Sequence, residues 1–136
     1  CVCGVGLLAR DGGSHTVELT LAMPVWLVAA KPKVQQDAGR VAVMRGPLVY
    51  CLEGVDNGAY LRDIRVDRAA DWSIGWENGL GVQALYWTCW RRRLDPAAPL
   101  YAPLQDDVEH GSLKWIPYLA FANRGETEMI VWVQVR

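Results

Sequence analysis

The sequence predicts an all-β domain, an antiparallel β-sandwich of jelly-roll type with little or no helix. Three observations carry this prediction. Seven or eight short runs rich in β-branched, aromatic and aliphatic residues are spread along 136 residues. Seven prolines and 13 glycines break these runs at short intervals, as turns between strands require. No stretch sustains the apolar repeat of 3.6 residues that marks an amphipathic helix. A chain this long buries roughly two thirds of its unfolded surface and holds one core. Its 51% hydrophobic and 21% charged residues exclude a disordered polymer.

Taken in order, residues 16–21 alternate Val17, Leu19 and Leu21 against Thr16, Glu18 and Thr20, the period of a half-buried strand. Residues 25–30 continue past Pro24. Residues 31–39 turn polar and form a connection. Residues 40–44 and 47–53 are two apolar runs divided by Arg45-Gly46-Pro47, where a bulge is expected. Residues 54–58 turn the chain, and 61–66 form a weak strand. Residues 67–81 read as a long ordered loop holding Trp72 and Trp76. Residues 82–90 are apolar on both faces, which predicts a central strand covered on each side. Residues 91–107 are loop-like, with Pro96, Pro99 and Pro103. Residues 113–122 and 129–135 are expected as strands of a hairpin around Asn123-Arg124-Gly125-Glu126.

With Lys+Arg 14 against Asp+Glu 15 the net charge is −1, so no overall positive field gathers a nucleic acid or an anionic membrane. Neither partner is expected. Apolar stretches fall far short of the ~20 residues a membrane helix needs. Arg91-Arg92-Arg93 reads as the solvated end of a strand rather than a phosphate clamp. The apolar residues 5–9 are too few, and lack the basic flank, for an export signal. Cys1, Cys3, Cys51 and Cys89 lack the dense spacing of a disulfide scaffold, which points to a reduced, cytoplasmic setting. A zinc site from these cysteines with His15 and His110 is disfavoured, because a terminal Cys-X-Cys would have to meet two cysteines inside strands. No cofactor is expected in this chain.

A glycosidase needs two facing carboxyl groups. Glu53, Asp56, Asp106, Asp107 and Glu109 are the candidates, but most stand beside turn residues and nothing in the sequence pairs them. Ser14, Ser73 and Ser112 lack the strained nucleophile elbow. Cys3-Gly4-Val5-Gly6 is not completed as a phosphate loop. Catalysis is therefore not expected of this chain. Trp87, Trp90, Trp115 and Trp132 fall inside expected strands and are assigned to core or sheet packing. Trp72 and Trp76 are candidates for stacking on a sugar, beside the plainer role of pinning their own loop.

Arg45-Gly46-Pro47-Leu48-Val49-Tyr50-Cys51-Leu52-Glu53-Gly54-Val55-Asp56-Asn57 closely resembles a segment of the β-L-arabinofuranosidases of glycoside hydrolase family 127. Trp115-Ile116-Pro117-Tyr118, followed by Ala122-Asn123-Arg124-Gly125, Glu128-Met129 and Trp132, resembles the same family's final hairpin. The stretch Val17-Glu18-Leu19-Thr20-Leu21-Ala22-Met23-Pro24-Val25 is a weaker third match. The resemblance implies a C-terminal β-sandwich that packs on a helical catalytic barrel absent from this chain. That barrel would hold zinc through cysteines and a glutamate, with one cysteine as nucleophile, and neither Cys51 nor Cys89 stands in that motif. On this basis residues 1–15 are an atypical N-terminal segment, unlike the family, as a shifted frame or a gene break would leave. Residues 16–33 are expected as strands from the end of a preceding sandwich, and 34–136 as the C-terminal β-sandwich domain. A strand that has lost its partner recruits another edge, so a homo-oligomer is expected through the N-terminal strand. Free-standing carbohydrate binding and a purely structural role are the alternatives.

Overall fold

The computed structural model describes residues 2–10, 13–93, 95–104 and 108–136, with side chains from residue 20 onward. The strands are β1 (Val2–Arg10), β2 (Gly13–Thr20), β3 (Val25–Ala29), β4 (Arg40–Arg45), β5 (Leu48–Glu53), β6 (Arg65–Val66), β7 (Trp72–Glu77), β8 (Val82–Arg92), β9 (Val108–Pro117), β10 (Met129–Ile130) and β11 (Trp132–Val135). Among the described residues, helix is confined to one turn, α1 (Gly54–Asn57), and three 3-10 turns, Gln35–Asp37, Leu61–Asp63 and Tyr118–Ala120. The all-β expectation holds.

The pairing differs from two facing sheets. Strands β4, β5, β9, β8, β6 and β11 pair in sequence and return to β4, closing a ring of six. All of these pairs are antiparallel except β6 with β11. Closure is possible because β4 and β5 are joined only at their tight end, Arg45 opposite Leu48. Where they splay, the segment of β10 and β11 enters between them, pairing first with β5 and, past Val131, with β4. β3 lies along the outer edge of β4, and β7 extends the edge of β8 that β6 begins. β1 and β2 form a separate antiparallel pair.

Strand alternation sends Val41, Val43, Tyr50, Leu52, Leu85, Trp87, Trp115 and Val133 into the ring, where all are buried. The opposite face of β5, β8 and β9 carries a second cluster of Cys51, Ala84 and Ile116, covered by Ala120 and Phe121. The expectation of cover on both faces of β8 is met in this way. Trp87 and Trp115 take the core places expected of them, while Trp90 and Trp132 are only half-buried. Trp90 lies against His110 and beneath the Arg136 guanidinium, 4.2 Å from the ring centre.

Three element expectations are corrected. Residues 46–47 form a two-residue hairpin turn rather than a bulge. Gly46 adopts φ 55°, and a Cβ there would collide with the Met23 side chain. The expected loop at 67–81 contains β7, because β8 has a second edge to fill and Trp72, Ile74 and Trp76 do alternate with Ser73, Gly75 and Glu77. Gly75 permits the approach, since a Cβ there would lie 2.8 Å from the Tyr86 ring. The expected final hairpin does not form. β9 ends at Pro117, residues 118–120 coil into a 3-10 turn, and β5 stands between β9 and β10. Proline removes the donor that would have continued the ladder, and the connection is far longer than a hairpin turn.

Candidate functional site

The densest polar constellation among the described residues is built where β5 runs into α1. Glu53, the last residue of β5, is buried, with its side chain fully out of solvent. Its Oε1 accepts the Ala122 N–H at 3.0 Å, and its Oε2 pairs with the Arg124 guanidinium. Arg124 also grips Asp56, with Nη1 donating to Oδ1 at 2.7 Å. Lys114, on β9, lies 2.6 Å from Asp56 and 2.9 Å from Glu77 of β7. Asn57 knits the backbone beneath. It donates to the carbonyls of Glu53 and Lys114 at 3.0 and 2.9 Å and accepts the Lys114 N–H at 2.9 Å. Thr127 accepts the Val55 N–H at 2.9 Å, and Glu128 accepts the Leu61 N–H at 3.2 Å.

The electrostatics follow from these contacts. Burial pushes the Asp56 pKa upward, but Arg124 and Lys114 outweigh it and hold the carboxyl below its ordinary value. The hydrogen bond to Asp56 leads in raising Arg124, and the Glu53 contact adds to it. Lys114 loses solvation yet is raised on balance by Asp56 and Glu77. A general acid needs a carboxyl lifted toward neutrality. Asp56 is shifted the other way, and Glu53 has no solvent path. Two of the candidate carboxylates are thus brought together, but as a clasp and not as an acid and a base across a cleft. Glu109 is exposed on β9 opposite Arg91. Asp106 and Asp107 lie outside the described residues.

Cys51 and Cys89 are buried free thiols, both pushed up to about 12, chiefly by burial. They belong to different apolar clusters, on opposite faces of the sheet. His110 rests on Trp90, and no group of three or more His, Cys, Asp or Glu converges among the described residues. Cys1 lies outside the described residues, and Cys3 and His15 outside the described side chains.

Trp72 and Trp76 stand on β7 with 42% and 60% of their surfaces exposed. Two-residue spacing puts them on one face with Ile74, itself 41% exposed. The structure thus aligns the two predicted indoles, though the ridge also includes an aliphatic residue. Sequence reading missed Lys114 and Arg124 as partners of Asp56 and Glu53, and Glu77 as the second partner of Lys114. These pairs are separated by 37 to 71 residues along the chain, and no local pattern announces them.

The comparisons with known proteins agree with one another. The model of the glycoside hydrolase family 127 C-terminal domain matches residues 25–134. A non-reducing end β-L-arabinofuranosidase of Bifidobacterium longum subsp. longum is 38% identical over 94% of this chain and 21% of its own length. The crystal structure of a family 127 β-L-arabinofuranosidase from Geobacillus stearothermophilus T6 superposes with a TM-score of 0.79 at 30% identity, covering 99% of this chain and 25% of that one. A family 127 β-arabinofuranosidase structure gives 0.72 at 28% identity, covering 94% and 21%. The chain therefore spans only a fifth to a quarter of these relatives.

Proposed function

The chain belongs to the glycoside hydrolase family 127 C-terminal domain family, and on that premise we propose that it is the non-catalytic β-domain of a β-L-arabinofuranosidase-like hydrolase, buttressing a helical catalytic barrel. One observation carries this reading. The two sequence blocks that resemble the family meet in the Glu53–Asp56–Arg124 clasp, where Glu53 is fully buried and both carboxylates are already paired, as a scaffold uses charge and as a substrate site does not. Zinc chemistry, where the enzyme uses it, falls to residues outside this chain. The inert, separated thiols of Cys51 and Cys89 do not fit such a role. The β7 ridge of Trp72, Ile74 and Trp76 and the outer edge of β3 are the surfaces offered to the rest of the enzyme or to a second copy. The free thiols suit a reducing, cytoplasmic setting.

A chimaera tests the reading. Deleting the matching segment from the Bifidobacterium longum relative should lower its thermal stability, and grafting this chain in its place should restore part of it. The chain alone should leave a chromogenic β-L-arabinofuranoside intact. Hydrolysis by the chain alone would overturn the proposal. A second reading, a carbohydrate-binding module with Trp72 and Trp76 as its platform, is favoured by the exposure of both indoles on one face.

A further inference from the structure

A hollow of about 550 Å³ opens on the outside of the ring, where β10 passes into β11. Its floor is Val49 of β5 and the residues Met129 to Trp132, which cross from β5 to β4. Its rim is assembled from all three 3-10 turns described above. Each contributes one side chain: Asp37 from the first, Arg62 from the second and Tyr118 from the third. Arg40, at the start of β4, completes the wall. Interruptions far apart in sequence thus converge on one place.

The chemistry of the lining is specific. The side chains of Asp37, Arg40 and Arg62 make no hydrogen bond or ion pair among the described residues. Two guanidiniums, each with five N–H donors, and one carboxylate acceptor therefore face a common space without satisfying one another. Trp132 and Tyr118 add aromatic surface, and Tyr118 is steadied by stacking on Phe121, 6.1 Å between ring centres. The turn bearing Arg62 is tied to the β10 approach by the Leu61 N–H to Glu128 contact. A ligand that satisfies this wall must donate to Asp37, accept from the arginines and offer a flat apolar face. A sugar ring does all three, its hydroxyls donating and accepting and its C–H face stacking on aromatics. A simple anion would meet Asp37, and an apolar ligand would strand three charges. The volume falls in the ordinary range for small-ligand sites.

We propose that this hollow is a saccharide subsite, taking one sugar unit of an arabinose-containing oligosaccharide between Trp132, Tyr118 and the Asp37–Arg40–Arg62 rim. Only the choice of arabinose rests on the glycosidase reading. The subsite lies apart from Trp72 and Trp76, so it is not the β7 platform.

The test is a heteronuclear NMR titration of the 136-residue chain with β-L-arabinofuranosyl oligosaccharides, with xylo-oligosaccharides and sodium phosphate as comparison probes. Expected are shifts of the Trp132 indole N–H and the Arg62 and Tyr118 amides. Affinity should fall about tenfold in Arg62→Ala and in Arg40→Ala, since each removes a charged donor. Binding of xylo-oligosaccharides alone at these residues would uphold the subsite and count against the arabinose reading, which the chimaera examines separately. Three outcomes overturn the subsite: no shift at these residues with any saccharide, a response to phosphate alone, or loss of saccharide binding in Trp72→Ala and Trp76→Ala but not in Arg62→Ala. Arg62 is exposed, so its replacement tests binding without threatening the fold.

Discussion

Two groups of charges on one small ring are used in opposite ways. At the end of β5, Glu53, Asp56, Lys114, Arg124 and Glu77 satisfy one another, and the innermost carboxylate is closed off from water. Around the hollow at β10 and β11, Asp37, Arg40 and Arg62 line one space and pair with nothing among the described residues. The difference shows which charges hold the fold and which are left open to a ligand. A buried carboxylate without its guanidinium faces a desolvation cost that burial cannot return. A solvated guanidinium without a partner costs the fold almost nothing.

Mutation can break that contrast directly. The largest effect is expected at Arg124→Ala, which leaves Glu53 charged and buried. It should lower unfolding free energy by about 3–5 kcal/mol in urea titration. The double change Glu53→Gln with Arg124→Met should cost much less than the two single changes summed. Core truncation provides a scale, since Trp115→Ala should cost about 3–5 kcal/mol through its cavity. Lys114→Met is a smaller step, about 1 kcal/mol, because Lys114 retains some solvent contact. The smallest effects are expected at the hollow, where Arg40→Gln and Arg62→Gln should stay within about 0.5 kcal/mol of the parent. A large loss at either would place that arginine with the clasp instead.

Acid and alkali sharpen the same contrast. Asp56 is held below its ordinary value of 3.8, so it contributes stability above that pH and loses it as pH falls through the lower, folded value. Asp56→Asn should flatten the acid limb of a stability-against-pH curve. Lys114 and the two thiols are shifted upward, so their contributions persist at neutral pH and fade as pH rises. For Cys51 and Cys89 the fading runs from 9.0 toward about 12. Cys51→Ala with Cys89→Ala should flatten the alkaline limb.

Local features were legible in the sequence. Runs of β-forming residues placed β4, β5 and β8, and the glycines at 54 and 58 marked a turn that does occur, whereas Gly46 was read as a bulge and closes a hairpin. Ring closure was not legible, because it depends on β11 entering between β4 and β6, a pairing between segments that local pattern does not link. The hairpin expected at 123–126 misled for a related reason. Asn and Gly do suit a tight turn, but Ala122, at φ 63°, and Arg124 are held by Glu53 at the end of β5 and Asp56 of α1. The tryptophans divided in the same way. Trp87 and Trp115 follow from their places inside expected strands, while the placing of Trp132 at the hollow rests on where three distant turns arrive.

The insertion of β11 between β4 and β6 also governs how the molecule assembles. The ring stays open until residues 132–135 reach strands formed 69 to 94 positions earlier, so the decisive contacts are non-local ones. A nascent chain emerging from the ribosome would hold β4 to β9 as an incomplete arc with two unsatisfied borders, exposed to chaperones and to other nascent chains. Only that late stave closes the arc, so completion of the ring waits on residues 132–135 and on the slow non-local pairing typical of β-rich folds.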